Sequence, residues 1–143
     1  KGIPCRHLSS KTHPDPVLFD LAVCQALEQS GATLVVTAGY LKKVGINTLS
    51  RYPRAVINVH PSLLPRHGGP GMYGLKVHQA VCDAGEVQTG VTVHYVTEEY
   101  DQGQIIRQSK LEVLNEDNPE SLAGRLLPVE HELLVNVLKE LSE

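Results

Sequence analysis

Apolar residues recur along the chain with two periods, and segments of the two kinds alternate. Over residues 14–29 they recur every three to four positions and stop at Ser30 and Gly31, which predicts an amphipathic helix. Residues 33–38 and 55–59 are short, continuous apolar runs, typical of strands buried on both faces of a sheet. The remaining predicted elements are a strand over 2–8, one or two helical turns near Gly45, a helix over 75–84, strands over 90–96 and 104–113, and a long helix over 118–141.

Strands that alternate with helices indicate an α/β fold. We expect residues 1–143 to form a single domain around a mostly parallel sheet, with ligands bound beyond the carboxyl ends of the strands. Residues 61–74 contain three prolines and four glycines, which predicts a long loop of the kind that often carries function.

Composition and charge exclude several classes of function. The chain carries 13 basic and 16 acidic residues, so no polybasic face is available to bind nucleic acid or an anionic membrane. No apolar run approaches the roughly 20 residues of a transmembrane helix, and the N-terminus lacks a signal-peptide pattern, which predicts a cytoplasmic protein. The three cysteines and seven histidines show no spacing typical of metal ligands, so we expect no metal.

Two polar residues end the second apolar strand. Asn58 and His60 lie two positions apart, so their side chains project to the same face at the predicted ligand-binding edge. Polar groups at the end of a buried strand need hydrogen-bond partners, because their desolvation otherwise costs free energy. Either the two side chains bind a ligand, or they only satisfy backbone groups of the following loop.

Two longer blocks resemble the phosphoribosylglycinamide formyltransferase family, whose members take a formyl group from 10-formyltetrahydrofolate. The first block is INVHPSLLPRHGGPGMYG over residues 57–74, and the second is GVTVHYVTEEYDQGQII over residues 90–106. LVVTAGYLKKVG over residues 34–45 and the pair Glu130-His131 extend the resemblance to nearly the whole chain. The resemblance implies a formyltransferase-type, Rossmann-like fold.

The resemblance places Asn58, His60 and Asp101 on the catalytic residues of the family. An asparagine amide and an imidazole can donate hydrogen bonds to the tetrahedral oxyanion that forms when an amine attacks a formyl group. A carboxylate can hold the histidine in its protonated form and help to move a proton. Taken alone, Asp101 in the sequence Asp-Gln-Gly is more simply explained as a turn residue.

The resemblance also implies a folate pocket with two walls. Tyr40, Leu41 and Val44 form one wall, although Tyr40 and Leu41 can equally be core residues. Lys43 stands where the family usually has an apolar residue. The resemblance assigns the opposite wall to the backbone from Val96 to Asp101, in which Val96, Thr97, Glu98 and Glu99 are the expected folate contacts.

Pro61 and Glu130 match positions of the family that contact the substrate, where the carboxylate of Glu130 would bond the ribose hydroxyls. The alternative for Glu130 is an exposed helix charge. Pro128 interrupts the same predicted helix, and we expect a kink that displaces Glu130.

One part of the family pattern is missing. The opening KGIPCRHL resembles the family's third strand, and no glycine-rich phosphate loop precedes it. About two strand-helix units, on the order of 60 residues, are therefore absent relative to the family, which makes the fold truncated at its N-terminus. The loss would expose an apolar sheet edge. We expect residues 1–13 to repack, or a second copy or another partner chain to cover this edge.

The leading hypothesis is transfer of a formyl group from the cosubstrate 10-formyltetrahydrofolate to the amine of glycinamide ribonucleotide in purine biosynthesis. One alternative is an inactive, truncated remnant that binds only folate or partner chains. Another is a different formyl-folate enzyme, such as formyltetrahydrofolate hydrolase. HPSLLP followed by GGPGMYG favours the purine enzyme over the other formyl-folate enzymes.

Overall fold

The computed structural model describes residues 2–143, which form four helices and four strands. None of these helices is long and apolar enough to cross a membrane. The elements lie within about two residues of the predicted boundaries. In chain order they are α1 (Pro16–Gln29), β1 (Val35–Thr37), α2 (Ile46–Arg51), β2 (Val56–His60), α3 (Leu75–Asp83), β3 (Gln88–Tyr95), β4 (Ile105–Glu112) and α4 (Pro119–Leu141).

The strands form one mixed sheet in the order β1-β2-β3-β4. The α/β class is thus confirmed, and the parallel arrangement predicted for the sheet holds for β1 and β2. β3 runs antiparallel to β2, and β4 runs antiparallel to β3. The last pair is a hairpin, because the short connection over residues 96–104 leaves no room for the crossover that a parallel neighbour requires.

The core lies between the sheet and α4. Ile57 from β2, Val91 and Val93 from β3, and Leu126 and Val137 from α4 are almost completely buried in one cluster. The helix begins at a capping box, in which the Asn118 side chain accepts from the Ser121 backbone N–H and the Ser121 side chain accepts from the Asn118 N–H. It continues through Pro128 to Leu141, so the proline does not end it.

Two predictions for the first third of the chain are wrong. Residues 2–8 form no strand, and Ile3 is 83% exposed, because no neighbouring strand pairs with this segment. β1 is not buried on both faces either. It is an edge strand that pairs only with β2 among the described residues, and Val36 is 37% exposed.

A buried aspartate joins α1 to α2. Asp20 is 7% exposed, and its carboxylate accepts hydrogen bonds from the Asn47 backbone N–H at 2.8 Å and the Thr48 hydroxyl at 2.6 Å. The Asn47 bond, together with one from the Thr48 backbone N–H at 3.3 Å, satisfies free backbone donors at the start of α2, whose N-cap Gly45 offers no side-chain cap. Gly45 precedes the helix and leaves space for this carboxylate, since a Cβ there would lie 2.1 Å from Asp20 Cγ.

Replacing Gly45 with alanine is expected to lower the free energy of unfolding by about 2 kcal/mol, since the methyl group would displace Asp20 from its buried hydrogen bonds. Urea denaturation measures the change. Gly124→Ala in α4 is the matched control, because a Cβ there meets nothing within 4 Å. The control is expected to gain up to about 1 kcal/mol from helix propensity. A Gly45→Ala chain as stable as the unsubstituted one would contradict this account of the α1–α2 junction.

Candidate active site

The antiparallel pairing of β2 with β3 assembles the polar centre of the site. Asn58 and His60 end β2, and His60 is 4% exposed. His94 on β3 lies directly opposite Asn58 in the register. Asp101 reaches the same point from the β3–β4 connection, where it adopts a φ of 56°. The structure therefore brings together the three residues predicted to be catalytic.

Asp101 lies at the centre of this group. Its Oδ1 is 3.6 Å from His60 Nδ1 and 3.5 Å from His94 Nε2. Its Oδ2 accepts a hydrogen bond from the Gly69 backbone N–H at 2.9 Å, which ties the loop over residues 61–74 to the β3–β4 connection. The left-handed backbone of Asp101 fits the turn interpretation, and the carboxylate faces the histidines as the catalytic interpretation requires.

Burial raises the pKa of Asp101, but hydrogen bonds from His94 and the Gly69 N–H outweigh it, and the nearby imidazoles add to the lowering. The net pKa is below the ordinary value, so Asp101 is ionised at neutral pH. Burial lowers the pKa of His60, although the His67 carbonyl and Asp101 act in the opposite direction. His60 is therefore neutral at pH 7, whereas the sequence led us to expect that Asp101 holds it protonated.

His94 is a site residue that sequence reasoning missed. Its Nδ1 donates to the Tyr95 carbonyl at 2.8 Å, and its Nε2 lies 3.3 Å from Asn58 Nδ2. The Thr37 hydroxyl donates to Asn58 Oδ1 at 2.7 Å, which turns the amide nitrogen of Asn58 towards His94. Neutral His94 accepts from Asn58 at Nε2, whereas protonated His94 donates to Asp101. The alternation of residues 90–96 places His94 on a predicted strand, but only the antiparallel pairing with β2 places it opposite Asn58.

A cavity of about 720 Å³ opens onto these polar groups. Of the residues predicted to bind folate, Glu98 is exposed and does not line the cavity. Lys43 lines the cavity, and its Nζ forms an ion pair with Glu99 at 3.1 Å that joins the two walls. The other predicted folate-pocket residues all line it, namely Tyr40, Leu41, Val44, Val96, Thr97 and Glu99.

The two predicted substrate contacts also line this cavity. Pro61 follows β2 directly, and Glu130 faces the cavity from α4, so Pro128 does not remove it from the site. Burial raises the pKa of Glu130, and His131 acts weakly in the opposite direction. Glu130 is thus half-buried in the cavity wall rather than a fully solvated helix charge.

Metal ligands do not gather at this site or elsewhere in residues 2–143. No group of three or more histidine, cysteine, aspartate or glutamate side chains there is arranged to hold a metal ion. Chemistry without a metal stays a prediction from the sequence.

The sequence profile of the formyl transferase family matches residues 1–138. The chain therefore belongs to the formyl transferase family, which confirms the resemblance seen in the two sequence blocks.

Individual relatives agree with this assignment. The chain is 41% identical to the chloroplastic phosphoribosylglycinamide formyltransferase of Arabidopsis thaliana over 134 residues, which are 94% of this chain and 46% of that protein. Among solved structures, phosphoribosylglycinamide formyltransferase from Bacillus halodurans superposes with a TM-score of 0.83 at 37% identity, over 92% of this chain and 65% of that one. This likeness confirms the Rossmann-like formyltransferase fold. The chain spans less than half the length of the Arabidopsis relative.

A formyltetrahydrofolate deformylase from Pseudomonas syringae is also similar. Its structure superposes with a TM-score of 0.81 at 30% identity, over 95% of this chain and 44% of that one. The same architecture therefore occurs in proteins named for formyl transfer and in one named for deformylation.

Proposed function

We propose that this chain carries the site for formyl transfer from 10-formyltetrahydrofolate to the amine of glycinamide ribonucleotide in purine biosynthesis. The proposal rests on one observation: Asn58, His60 and Asp101 lie close together in the wall of one cavity, in a member of the formyl transferase family. The relatives named above as phosphoribosylglycinamide formyltransferases support this acceptor.

The polar centre fits the charge changes of this reaction. When the acceptor nitrogen attacks the formyl carbon, a C–N bond forms and the carbonyl oxygen becomes an oxyanion. Asn58 Nδ2 and His60, once it has gained a proton on Nδ1, are the donors that we assign to this oxygen, and such donors contribute about 3 kcal/mol each. Burial keeps the pKa of His60 below its ordinary value, and the carboxylate of Asp101 opposes this by stabilising the imidazole when it is protonated.

Proton transfer then completes the exchange. The attacking nitrogen must lose a proton, and N10 of the folate must gain one when its bond to the formyl carbon breaks. Asp101, which contacts both His60 and His94, is placed to pass this proton directly or through water. His94 holds the amide of Asn58 in position by accepting at Nε2, and the same nitrogen lies 3.5 Å from Asp101 Oδ1.

The cavity walls suit the two substrates. Tyr40, Leu41 and Val44 offer apolar surface to a pterin ring, and the segment from Val96 to Glu99 lies on the other wall, although Glu98 itself does not line the cavity. Glu130 and Pro61 are proposed to contact the ribonucleotide. This pocket accepts the folate as a cosubstrate, with no resident metal in the proposal.

The acceptor dependence of folate release tests the proposed function. Purified protein is incubated with 10-formyltetrahydrofolate, and release of tetrahydrofolate is followed with and without glycinamide ribonucleotide. We expect release only with the ribonucleotide. Release at the same rate without it, with formate as product, would establish the hydrolase alternative. Folate binding without any release would establish a binding remnant and overturn the proposal.

The uncovered side of the sheet is proposed to pair with a second copy of the chain. Val17, Leu18 and Leu21 of α1 are 60%, 58% and 39% exposed, and β1 has a free edge among the described residues. Burying this apolar face and pairing the edge would stabilise a dimer. Light scattering is expected to give the mass of a dimer, and Leu18→Glu the mass of a monomer. A monomeric unsubstituted chain would overturn self-pairing and favour another polypeptide on this face.

The cytoplasmic location expected from the sequence stays a prediction. The Arabidopsis relative is named as chloroplastic, which identifies the compartment that a fractionation experiment should compare with the cytoplasm.

A further inference from the structure

His60 makes one short hydrogen bond that the proposed reaction does not explain. Its Nε2 lies 2.9 Å from the main-chain oxygen of His67. A carbonyl oxygen can only accept, so Nε2 carries the proton of the neutral ring. Nδ1 is then the unprotonated nitrogen, and it faces Asp101 at 3.6 Å. The position of the His67 carbonyl thus determines which nitrogen of His60 can accept a proton.

The first part of the loop that carries this carbonyl is bonded to buried groups of the sheet, whereas its second part contacts the sheet side through the His60 bond itself and the Gly69 N–H bond to Asp101. The Leu64 N–H donates to the Thr92 hydroxyl at 3.1 Å, and that hydroxyl donates to the Ser62 carbonyl at 2.7 Å. Thr92 is fully buried in β3. Beyond these bonds the chain turns back, and His67 has a φ of 53°, in the left-handed region.

Glu86 fastens the second part of the loop. Its Oε1 accepts from His67 Nε2 at 3.1 Å, and its Oε2 forms an ion pair with Arg66 Nη1 at 2.9 Å. Glu86 itself is held by the end of α3, because its N–H donates to the carbonyl of buried Val81 at 3.3 Å. The Ser62 hydroxyl adds one bond to the Arg66 carbonyl.

We propose that Glu86 is a positioning residue for formyl transfer. It holds the ring of His67 so that the His67 carbonyl keeps the proton of His60 on Nε2 and leaves Nδ1 free. Glu86 acts through His67, and no atom of it lines the catalytic cavity. This inference rests on the proposed function for its effect on turnover, but its effect on His60 does not need a substrate.

The contacts indicate which variants separate positioning from general stability. Glu86→Ala removes both contacts, whereas Glu86→Gln keeps an oxygen that accepts from the His67 ring. Arg66→Ala is the matched control, because it removes only the ion pair from a side chain that is 69% exposed. His67→Asn removes the ring contact, and asparagine tolerates the left-handed backbone better than most residues.

Nitrogen-15 NMR of the His60 ring, without substrate, is the first measurement. In the unsubstituted protein and Arg66→Ala, we expect His60 as the Nε2–H tautomer with a slowly exchanging ring proton. In Glu86→Ala and His67→Asn, we expect a mixture of tautomers and faster exchange, largely restored in Glu86→Gln. An unchanged His60 signal in Glu86→Ala would overturn the proposal. If Glu86→Ala does not fold, an unchanged signal in His67→Asn overturns it instead.

Steady-state kinetics is the second measurement. Glu86→Ala is expected to lower kcat about tenfold with little change in KM. A displacement of His60 by less than about 1 Å slows the chemical step but does not weaken substrate binding. Arg66→Ala should stay within about twofold of the unsubstituted enzyme, since it leaves the ring contact of His67 in place. Equal losses in both variants would overturn the positioning role. Absence of transfer in the unsubstituted protein would refute the proposed function, and the NMR result would still decide the role of Glu86.

Discussion

Replacing His60 with alanine is expected to lower kcat by about 10³-fold or more while the protein stays folded. The variant removes the ring that Asp101 stabilises in its protonated form and that donates to the oxyanion. It leaves Asn58 and the cavity walls in place, so KM for the folate should change little. Formyl-transfer kinetics and thermal unfolding of the same preparation measure the two effects.

His7→Ala is the matched control for this variant. His7 is an exposed histidine in the N-terminal segment, remote in sequence from the predicted site. The control is expected to keep the activity of the unsubstituted protein. A His60→Ala enzyme with kcat within about tenfold of the control would show that the imidazole neither donates to the oxyanion nor moves the proton.

Replacing Asp101 with asparagine is expected to lower kcat by about 10²- to 10³-fold with nearly unchanged geometry. The amide oxygen can still accept from the Gly69 N–H, so the tie to the loop survives. The negative charge beside His60 is lost, and the pKa of His60 falls further because Asp101 is one of the groups that raise it. Protonated His60 is then less available to the oxyanion.

The same variant is also expected to change how the free energy of unfolding depends on pH. The pKa of Asp101 lies below its ordinary value of 3.8 in the folded chain, so ionised Asp101 stabilises the fold above that value. This stabilisation disappears as the pH falls through the folded pKa. The Asp101→Asn chain should therefore lose less stability on acidification than the unsubstituted chain does.

Asp83→Asn is the control for both effects, because Asp83 is an exposed carboxylate at the end of α3. Urea denaturation at several pH values and transfer kinetics provide the comparison. Equal acid sensitivity of the Asp101→Asn and Asp83→Asn chains, together with equal turnover, would exclude Asp101 from the reaction.

Local patterns allowed most elements and the polar end of β2 to be predicted from the sequence. Asn58 and His60 stood out because polar residues rarely end a buried apolar strand without a partner. Helix boundaries followed from residues that are themselves local, such as the Asn118 cap and the proline after it. These features depend on neighbours a few positions away, which a single sequence displays.

Features that depend on distant residues were not predictable in the same way. The side chain of His94 matters because β3 runs antiparallel to β2, and the alternation of residues 90–96 is the same in either direction. The segment over residues 2–8 has the composition of a strand but no neighbour to bond with among the described residues. Glu86 follows α3 and His67 lies in the loop over residues 61–74, and no helix or strand periodicity in the sequence predicts that their side chains meet.

Transfer of a labelled formyl group tests the central claim most directly. The protein is incubated with glycinamide ribonucleotide and 10-formyltetrahydrofolate that carries carbon-13 in the formyl group, and the product is identified by NMR and mass spectrometry. We predict that the label appears as a formamide on the glycinamide nitrogen with the unsubstituted chain, and that this formamide forms about 10³-fold more slowly with His60→Ala. Label recovered as formate, or formamide produced equally by His60→Ala, would contradict the assignment of Asn58, His60 and Asp101 as the transfer site.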